Sequence, residues 1–378
     1  MFCKIGSLGK VFTICMDNAP LQSLRDWWNV MARNLGRKST YYINYYRFKP
    51  RTTQRWMSQF LLARHLHRRP LTRTGMESDS KRSRRDIAAE TLAAIERGSY
   101  KHNDISHGLT PSIELSKQNT VYYPPDSLLS RWNESAVASP ESLDTDTTDI
   151  SIREISTLDG ARFLSTVVSS SDNRKIGVLN FASAKKPGGG FIGGAQAQEE
   201  SIARSSTLYP TLMTPTAQQF YKLHKRDPKG GYYSHAMIYS PGVTLLRDDH
   251  GHWTEPLEVD VLTSPAVNAG IARKTLHGRV GGQAEEGRIE KAMRERMSRI
   301  LFAFEQQGVK NLVLGSFGTG VFRNNVDVVA RIWADLLAVK DARFKKTFRH
   351  VVFAILGRKT FDDFKAAFEK QRDRIEID

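Results

Sequence analysis

Two adjacent carboxylates, Glu199 and Glu200, follow Gln198 and stand a seven-residue spacer beyond three consecutive glycines, Gly188, Gly189 and Gly190. A strand-like run, Ile176 to Ala182 (IGVLNFA), feeds the segment from its N-terminal side. Glycines permit positive φ and let a ligand approach the main chain with no Cβ in the way. Their N–H groups can converge on an anion, and a following helix adds its positive end, so phosphate is the natural guest. Mutual repulsion and a nearby diphosphate would raise the proton affinity of the paired acids, allowing one to stay protonated near neutral pH and act as a general acid. Consecutive helical residues point about 100° apart, so the two cannot do the same job. Each feature also has a plainer explanation: a glycine run suits a flexible surface loop, and first-turn acids complement the helix dipole.

A second glycine loop, Gly315 to Phe322 (GSFGTGVF), leaves the apolar run KNLVL and precedes a helix expected to begin near Asn325. Alone it is a weak signal. Two such loops, each leaving a strand and entering a helix, could clasp a diphosphate from opposite sides. The dinucleotide-binding Gly-x-Gly-x-x-Gly spacing is absent. Asp248 to His252 (DDHGH) has the composition of a metal cluster, but a strand end entering a polar turn explains it. Met293, Met297, Ile300, Leu301 and Phe304 form a stripe at helical spacing that belongs to a core.

The elements that must position these loops are legible in outline. The run SKRSRRDIAAETLAAIERGSY, with an Asp near its start, apolar Ile87, Leu92 and Ile95, and Gly98 as a stop, predicts a capped amphipathic helix opening the main domain, 78–378. Residues 133–149, rich in Ser, Thr, Asp and Pro, predict a surface insertion. Beyond them, short apolar runs (ISIREIS, KIGVLNFA, HAMIYSPGVTLL, LEVDVLTSPA, KNLVLGSF, HVVFAIL) alternate with helical patterns, among them the long EEGRIEKAMRERMSRILFAFEQQG, NNVDVVARIWADLLAV and a last helix from Phe361 to about Gln371. This alternation predicts an α/β fold with a largely parallel sheet covered on both faces, and ligands at the carboxyl ends of its strands.

The chain has 378 residues and a net charge of +16, and the charge is unevenly spread. Residues 1–76 hold fourteen Lys and Arg against Asp17 and Asp26, a leader of +12, whereas the other 302 residues hold 42 basic and 38 acidic groups. The basicity therefore belongs to the extension, and the main domain has no strong electrostatic reason to seek a polyanion. The leader suits a poorly ordered tail, an organellar transit segment or a nucleic-acid or membrane-surface arm; its His65 and His67 are read as solvated. Cys3 and Cys15 are the only cysteines, which excludes a disulfide framework and a thiolate zinc site and fits a reducing intracellular compartment such as nucleus, cytoplasm or mitochondrion. No apolar run approaches the length of a membrane span.

The pattern GGG, a spacer of seven, then QEE resembles the signature of the bacterial-type (microbial) poly(ADP-ribose) glycohydrolases, which are built on a macrodomain. RRDIAAETLAAIERGSY, VLNFASAKKPGGGFIGGAQAQEESIARSS, YSPGVTLLRDD, SPAVNAG and VLGSFGTGVFRNN match in order over roughly residues 80 to 375. The resemblance implies a three-layer α/β/α fold with a mixed, largely parallel sheet. It implies that Gly188, Gly189 and Gly190, with Gly318, Thr319 and Gly320, surround the diphosphate of ADP-ribose. Asn180 and Glu199 would hold the hydroxyls of the distal ribose, with Gln198 beside them in the binding set. Glu200 would be the general acid that protonates the departing ribose oxygen. Val321 and Phe322 would close the pocket and favour removal of terminal units. The chain departs from the family at Phe317 and Thr319, where Trp and Cys are commoner, and at Arg323, where Gly is usual. The implied reaction is hydrolysis of a ribose–ribose bond by a monomer acting on poly(ADP-ribose) or ADP-ribosylated proteins, with no metal or other cofactor. Three alternatives stay open: a non-hydrolytic ADP-ribose reader, a hydrolase of single ADP-ribose groups on protein or nucleic acid, and a nucleic-acid-associated scaffold acting through the leader.

Overall fold

The structure, a computed structural model, describes residues 2–7, 10–15, 42–45, 83–134, 148–168, 175–226 and 229–374. The chain divides into two units, Met1–Ser78 and Asp79–Asp378. In the first, strands β1 (Phe2–Ser7), β2 (Lys10–Cys15) and β3 (Tyr42–Tyr45) make an antiparallel sheet with β1 in the centre. The rest of the basic extension, and residues 135–147 of the expected insertion, lie outside the described residues.

The second unit opens with the helix Arg84–Arg97, whose start and stop follow from its own sequence. Ser83 and Asp86 form a reciprocal capping box, and Gly98 closes the helix in the left-handed conformation. A hairpin of β4 (Ser99–His102) and β5 (Ile105–Gly108) follows, too short to leave a periodic signal in the sequence. The remaining strands are β6 (Val121–Tyr123), β7 (Asp149–Arg153), β8 (Ile176–Phe181), β9 (Met237–Arg247), β10 (Trp253–Ser264), β11 (Asn311–Leu314) and β12 (His350–Ala354). They form one seven-stranded sheet in the order β6-β9-β10-β8-β11-β12-β7. From β10 to β7 every neighbouring pair is parallel, and β9 runs antiparallel to both β6 and β10.

Both faces of the sheet are covered, which explains why its central strands read as unbroken apolar runs. Leu179, Leu262, Leu312 and Val351 face one way, against Met293, Met297, Ile300 and Phe304 of the long helix Gln283–Gln306 and Trp333 of Val326–Leu337. Val178, Val261, Val313 and Val352 face the other way, against Leu158 and Leu164 of Thr157–Val167, Ile202, Leu208 and Phe220. The fold is thus the expected three-layer α/β/α arrangement. The last helix, Arg358–Arg372, begins one turn earlier than its apolar pattern suggests.

Arg247, at the end of β9, fastens the opening helix to the β9–β10 hairpin. Its wholly buried guanidinium bonds Thr91 Oγ1 at 2.8 Å and Glu90 at 3.1 Å and lies 3.3 Å above the Trp253 ring. The contact joins a charge-assisted bond to a cation–π interaction, which compensates the desolvation of the cation.

Gly177 in β8 shows how closely the long helix is seated, since a Cβ there would lie 2.6 Å from the Phe304 ring and 2.9 Å from Leu312. Gly177→Ala is expected to lower the unfolding free energy by about 1–3 kcal/mol by overpacking, read as an earlier urea midpoint with an unchanged denaturant slope. An unchanged midpoint would contradict this packing.

Candidate active site

The five parallel strands end on one side of the sheet, and a cleft of about 800 Å³ lies over those ends. Its walls come from the segments that leave the strands: Ile155 to Leu158 after β7, Phe181 to Lys186 after β8, Ala266 after β10, Ser316 to Phe322 after β11, and Leu356 after β12. Because β8 and β11 are neighbours in register, both glycine loops meet at this cleft.

The helix Gln198–Arg204 starts at the cleft floor. Gln198 staples it to the end of β8: its Oε1 accepts from the Phe181 N–H at 2.8 Å, and its Nε2 donates to the Leu179 carbonyl at 2.7 Å. Helical geometry then separates the next two side chains as their spacing requires. Glu199 turns inward and is 2 % exposed, while Glu200 is half-buried on the cleft wall.

Main-chain donors converge on both carboxylates. Ser183 N–H donates to Glu199 Oε2 at 2.6 Å, Gly188 N–H also bonds Glu199, and Gly190 N–H donates to Glu200 Oε1 at 2.9 Å. Asn180 stands behind Glu199 with no exposed surface, its Nδ2 donating to Thr263 Oγ1 at 3.1 Å and reaching Glu199 Oε1 at 3.5 Å. Burial pushes the Glu199 carboxyl up to about 8 against the opposing Ser183 bond, and the neighbouring Glu200 adds to the rise.

The glycine run answers to this arrangement. Gly189 has φ +60°, and a Cβ there would sit 2.2 Å from Glu200 Oε1 and 3.1 Å from Glu199 Oε2. The groups that approach this backbone are the protein's own carboxyls, and Gly190 spends its N–H on one of them. In the second loop, Gly320 faces open space, Thr319 Oγ1 bonds the Ser316 carbonyl at 2.9 Å, and Asn325 caps the following helix through Asp327 N at 2.8 Å. Val321 is 80 % exposed at the rim, and Phe322 packs against the ring of Tyr233 with centroids 6.0 Å apart.

Of the residues singled out from the sequence, Gln198, Glu199, Glu200, Gly189, Gly190, Gly318, Thr319, Gly320, Val321 and Phe322 line the cleft, whereas Asn180 and Gly188 support it from behind. Phe317, also buried, sets its ring edge-on to Phe181 at 5.5 Å. Sequence reasoning missed Ser183, Tyr233, Ala266 and the Ile155–Leu158 wall, because nothing in their local pattern distinguishes them from ordinary loop residues. Asp249, which the sequence places in a polar turn, also lines the cleft. In that turn Asp248 accepts from the His250 and His252 N–H groups at 2.9 and 2.8 Å.

Known proteins share this fold. The family model for the catalytic domain of microbial-type PARG, poly(ADP-ribose) glycohydrolase, matches residues 88–248. Among solved structures, the poly(ADP-ribose) glycohydrolase of Thermomonospora curvata is 37 % identical with a TM-score of 0.66, over 76 % of this chain and 98 % of that one. Its form bound to the inhibitor ADP-HPD is 36 % identical with a TM-score of 0.64, over the same shares. The Deinococcus radiodurans enzyme in complex with ADP-ribose is 31 % identical with a TM-score of 0.60, over 69 % of this chain and 98 % of that one. No curated protein matches.

Two outcomes are expected from the site's geometry. A carboxyl raised by folding stabilises the native state below its unfolded pKa, and that contribution is lost as pH rises through the folded value. Stability should therefore fall between pH 4.5 and about 8, and Glu199→Gln should flatten this slope in urea titrations at pH 5 and pH 8; an equal slope in both proteins would contradict the burial of Glu199. Arg323 occupies the left-handed region at φ +57°, so Arg323→Gly should raise stability by about 1 kcal/mol, read as a later unfolding midpoint.

Proposed function

Because the chain belongs to the microbial-type poly(ADP-ribose) glycohydrolases and is thus a glycohydrolase enzyme, we propose that it removes terminal ADP-ribose units from poly(ADP-ribose), with Glu200 as the general acid. The observation that carries this reading is the unequal setting of the two carboxylates. Glu199 has bonds on both oxygens and almost no exposure. Glu200 takes one main-chain bond on Oε1 and lines the cleft, and its Oε2 takes no protein hydrogen bond among the described residues.

In the proposed reaction Glu200 gives its proton to the ribose oxygen that leaves as the C–O glycosidic bond breaks. Water forms the new bond to the anomeric carbon through an oxocarbenium-like state, and its surplus proton restores Glu200. Glu199, backed by Asn180, orients the distal ribose hydroxyls. Gly188 to Gly190, Gln198 and Gly318 to Gly320 shape the diphosphate site, so that sugar and acid meet without a further search. The ADP-ribose complex of the Deinococcus radiodurans enzyme supports this choice of ligand. Val321 and Phe322 at the rim support attack on chain ends rather than on internal links.

Glu200→Gln should lower ADP-ribose release by about 10²- to 10⁴-fold, the usual worth of a general acid, while calorimetric ADP-ribose affinity stays within a few-fold. A variant that releases ADP-ribose at the original rate would refute the assignment. With defined polymer, free ADP-ribose should appear from the earliest time points; early accumulation of mid-length oligomers would overturn terminal cleavage. We further propose that residues 78–378 form the catalytic domain, so removal of residues 1–76 should leave turnover intact.

A further inference from the structure

We propose that Arg296, on the long helix and outside the cleft, is the positioning residue that sets the cleft wall opposite the two carboxylates: one guanidinium fork holds the chain on both sides of that wall. The proposal rests on the reading of the cleft as an ADP-ribose site.

Arg296 is 1 % exposed. Its Nη1 donates to the Pro265 carbonyl at 2.9 Å, and its Nη2 donates to the Tyr232 carbonyl at 2.9 Å and reaches that of Tyr233 at 3.5 Å. These partners are carbonyl dipoles. A buried cation held by carbonyls alone is costly, and burial accordingly lowers its proton affinity to about 9, with Arg299 nearby adding to the fall. Such an arrangement costs more than a methionine of similar length would, so its yield lies in the geometry that a planar, two-pronged donor imposes.

Each carbonyl it holds belongs to a segment that supplies a cleft residue. Tyr233 lines the cleft at φ +54°, a strained setting for a non-glycine residue that persists only where its surroundings over-determine it. Its hydroxyl bonds Asn268, and its ring meets Phe322. Pro265 leads directly into Ala266, whose methyl group is the seat of the second glycine loop: a Cβ on Gly318 would lie 2.4 Å from it. Asn324 Nδ2 ties that seat to the loop by bonding the carbonyls of Val267 at 2.7 Å and Gly318 at 3.0 Å. Displacing Arg296 would therefore shift Tyr233, Phe322 and Gly318 together, while Glu199 and Glu200, anchored to β8, would stay.

The test separates binding from chemistry. Arg296→Lys keeps the charge and loses the fork, and Arg296→Met keeps the length and loses both. Both should retain the circular dichroism of the parent and weaken ADP-ribose binding, measured calorimetrically, by roughly tenfold, the net worth of about one hydrogen bond. The polymer KM should rise in parallel, with kcat falling by a smaller factor. Ala266→Gly, which leaves the guanidinium bonds in place and removes the seat, should weaken binding similarly, and its loss should not multiply with that of Arg296→Lys. Repeating the calorimetry in the Glu200→Gln background reads the effect without turnover, so a wrong assignment of the acid leaves this result standing. Folded Arg296 variants with parental Kd and KM, or a loss confined to kcat, overturn the proposal, as do multiplying losses. Should both Arg296 variants fail to fold, unchanged affinity in Ala266→Gly overturns it. A parent protein that binds no ADP-ribose overturns both the proposal and the reading beneath it.

Discussion

The site depends on the close approach of two carboxylates to bare main chain. Gly189 has no Cβ, so Glu199 and Glu200 can reach the N–H groups of Ser183, Gly188 and Gly190. Burial then divides the pair: Glu199 is desolvated and its carboxyl pushed up to about 8 against the bonds it accepts, and Glu200 is left half-buried on the cleft wall. A methyl group at position 189 would occupy the place of Glu200 Oε1 and force the loop away from the helix. Loop, helix start and acid pair are therefore one unit.

The sheet brings that unit to its counterpart. Parallel strands covered on both faces leave only their ends for ligands, and the adjacency of β8 and β11 sets the two glycine loops against each other. The long helix that covers one face of the sheet is held to its neighbours by single side chains. Phe304 packs where Gly177 leaves room in β8, and Arg296 of the same helix grips the opposite wall. Buried arginines recur in this role: Arg247 locks the opening helix to the β9–β10 hairpin, and Arg204 bonds the Ala195 carbonyl that closes the first loop. In each case a planar donor bonds a main-chain carbonyl outside the regular elements, for Arg247 that of Gly251.

Elements governed by neighbours along the chain are legible in the amino-acid sequence. The opening helix, with its Ser83–Asp86 box and Gly98 stop, and the core stripe on the long helix follow from residues a few positions apart. So does the division of labour between Glu199 and Glu200, since adjacent helical positions point about 100° apart. The short hairpin Ser99–Gly108 is not legible in this way, because its strands have four residues each and little alternation. The glycine run suggests an incoming phosphate, whereas its close contacts at Gly189 are with Glu199 and Glu200, ten and eleven residues on. A run of glycines states that something must come near; it does not state what.

By itself the sequence determined the layered α/β plan, the two strand-to-helix glycine loops and the identity of the acid pair, because each is written in spacings of a few residues. Only the tertiary structure decided which acid is buried, that Asn180 stands behind it rather than in the cleft, and that Tyr233 and Ala266 line the cleft while Arg296 bonds the chain behind them. Burial and carbonyl capture are set by partners dozens of residues away, and their energies depend on the dielectric and geometry that the whole packed chain creates.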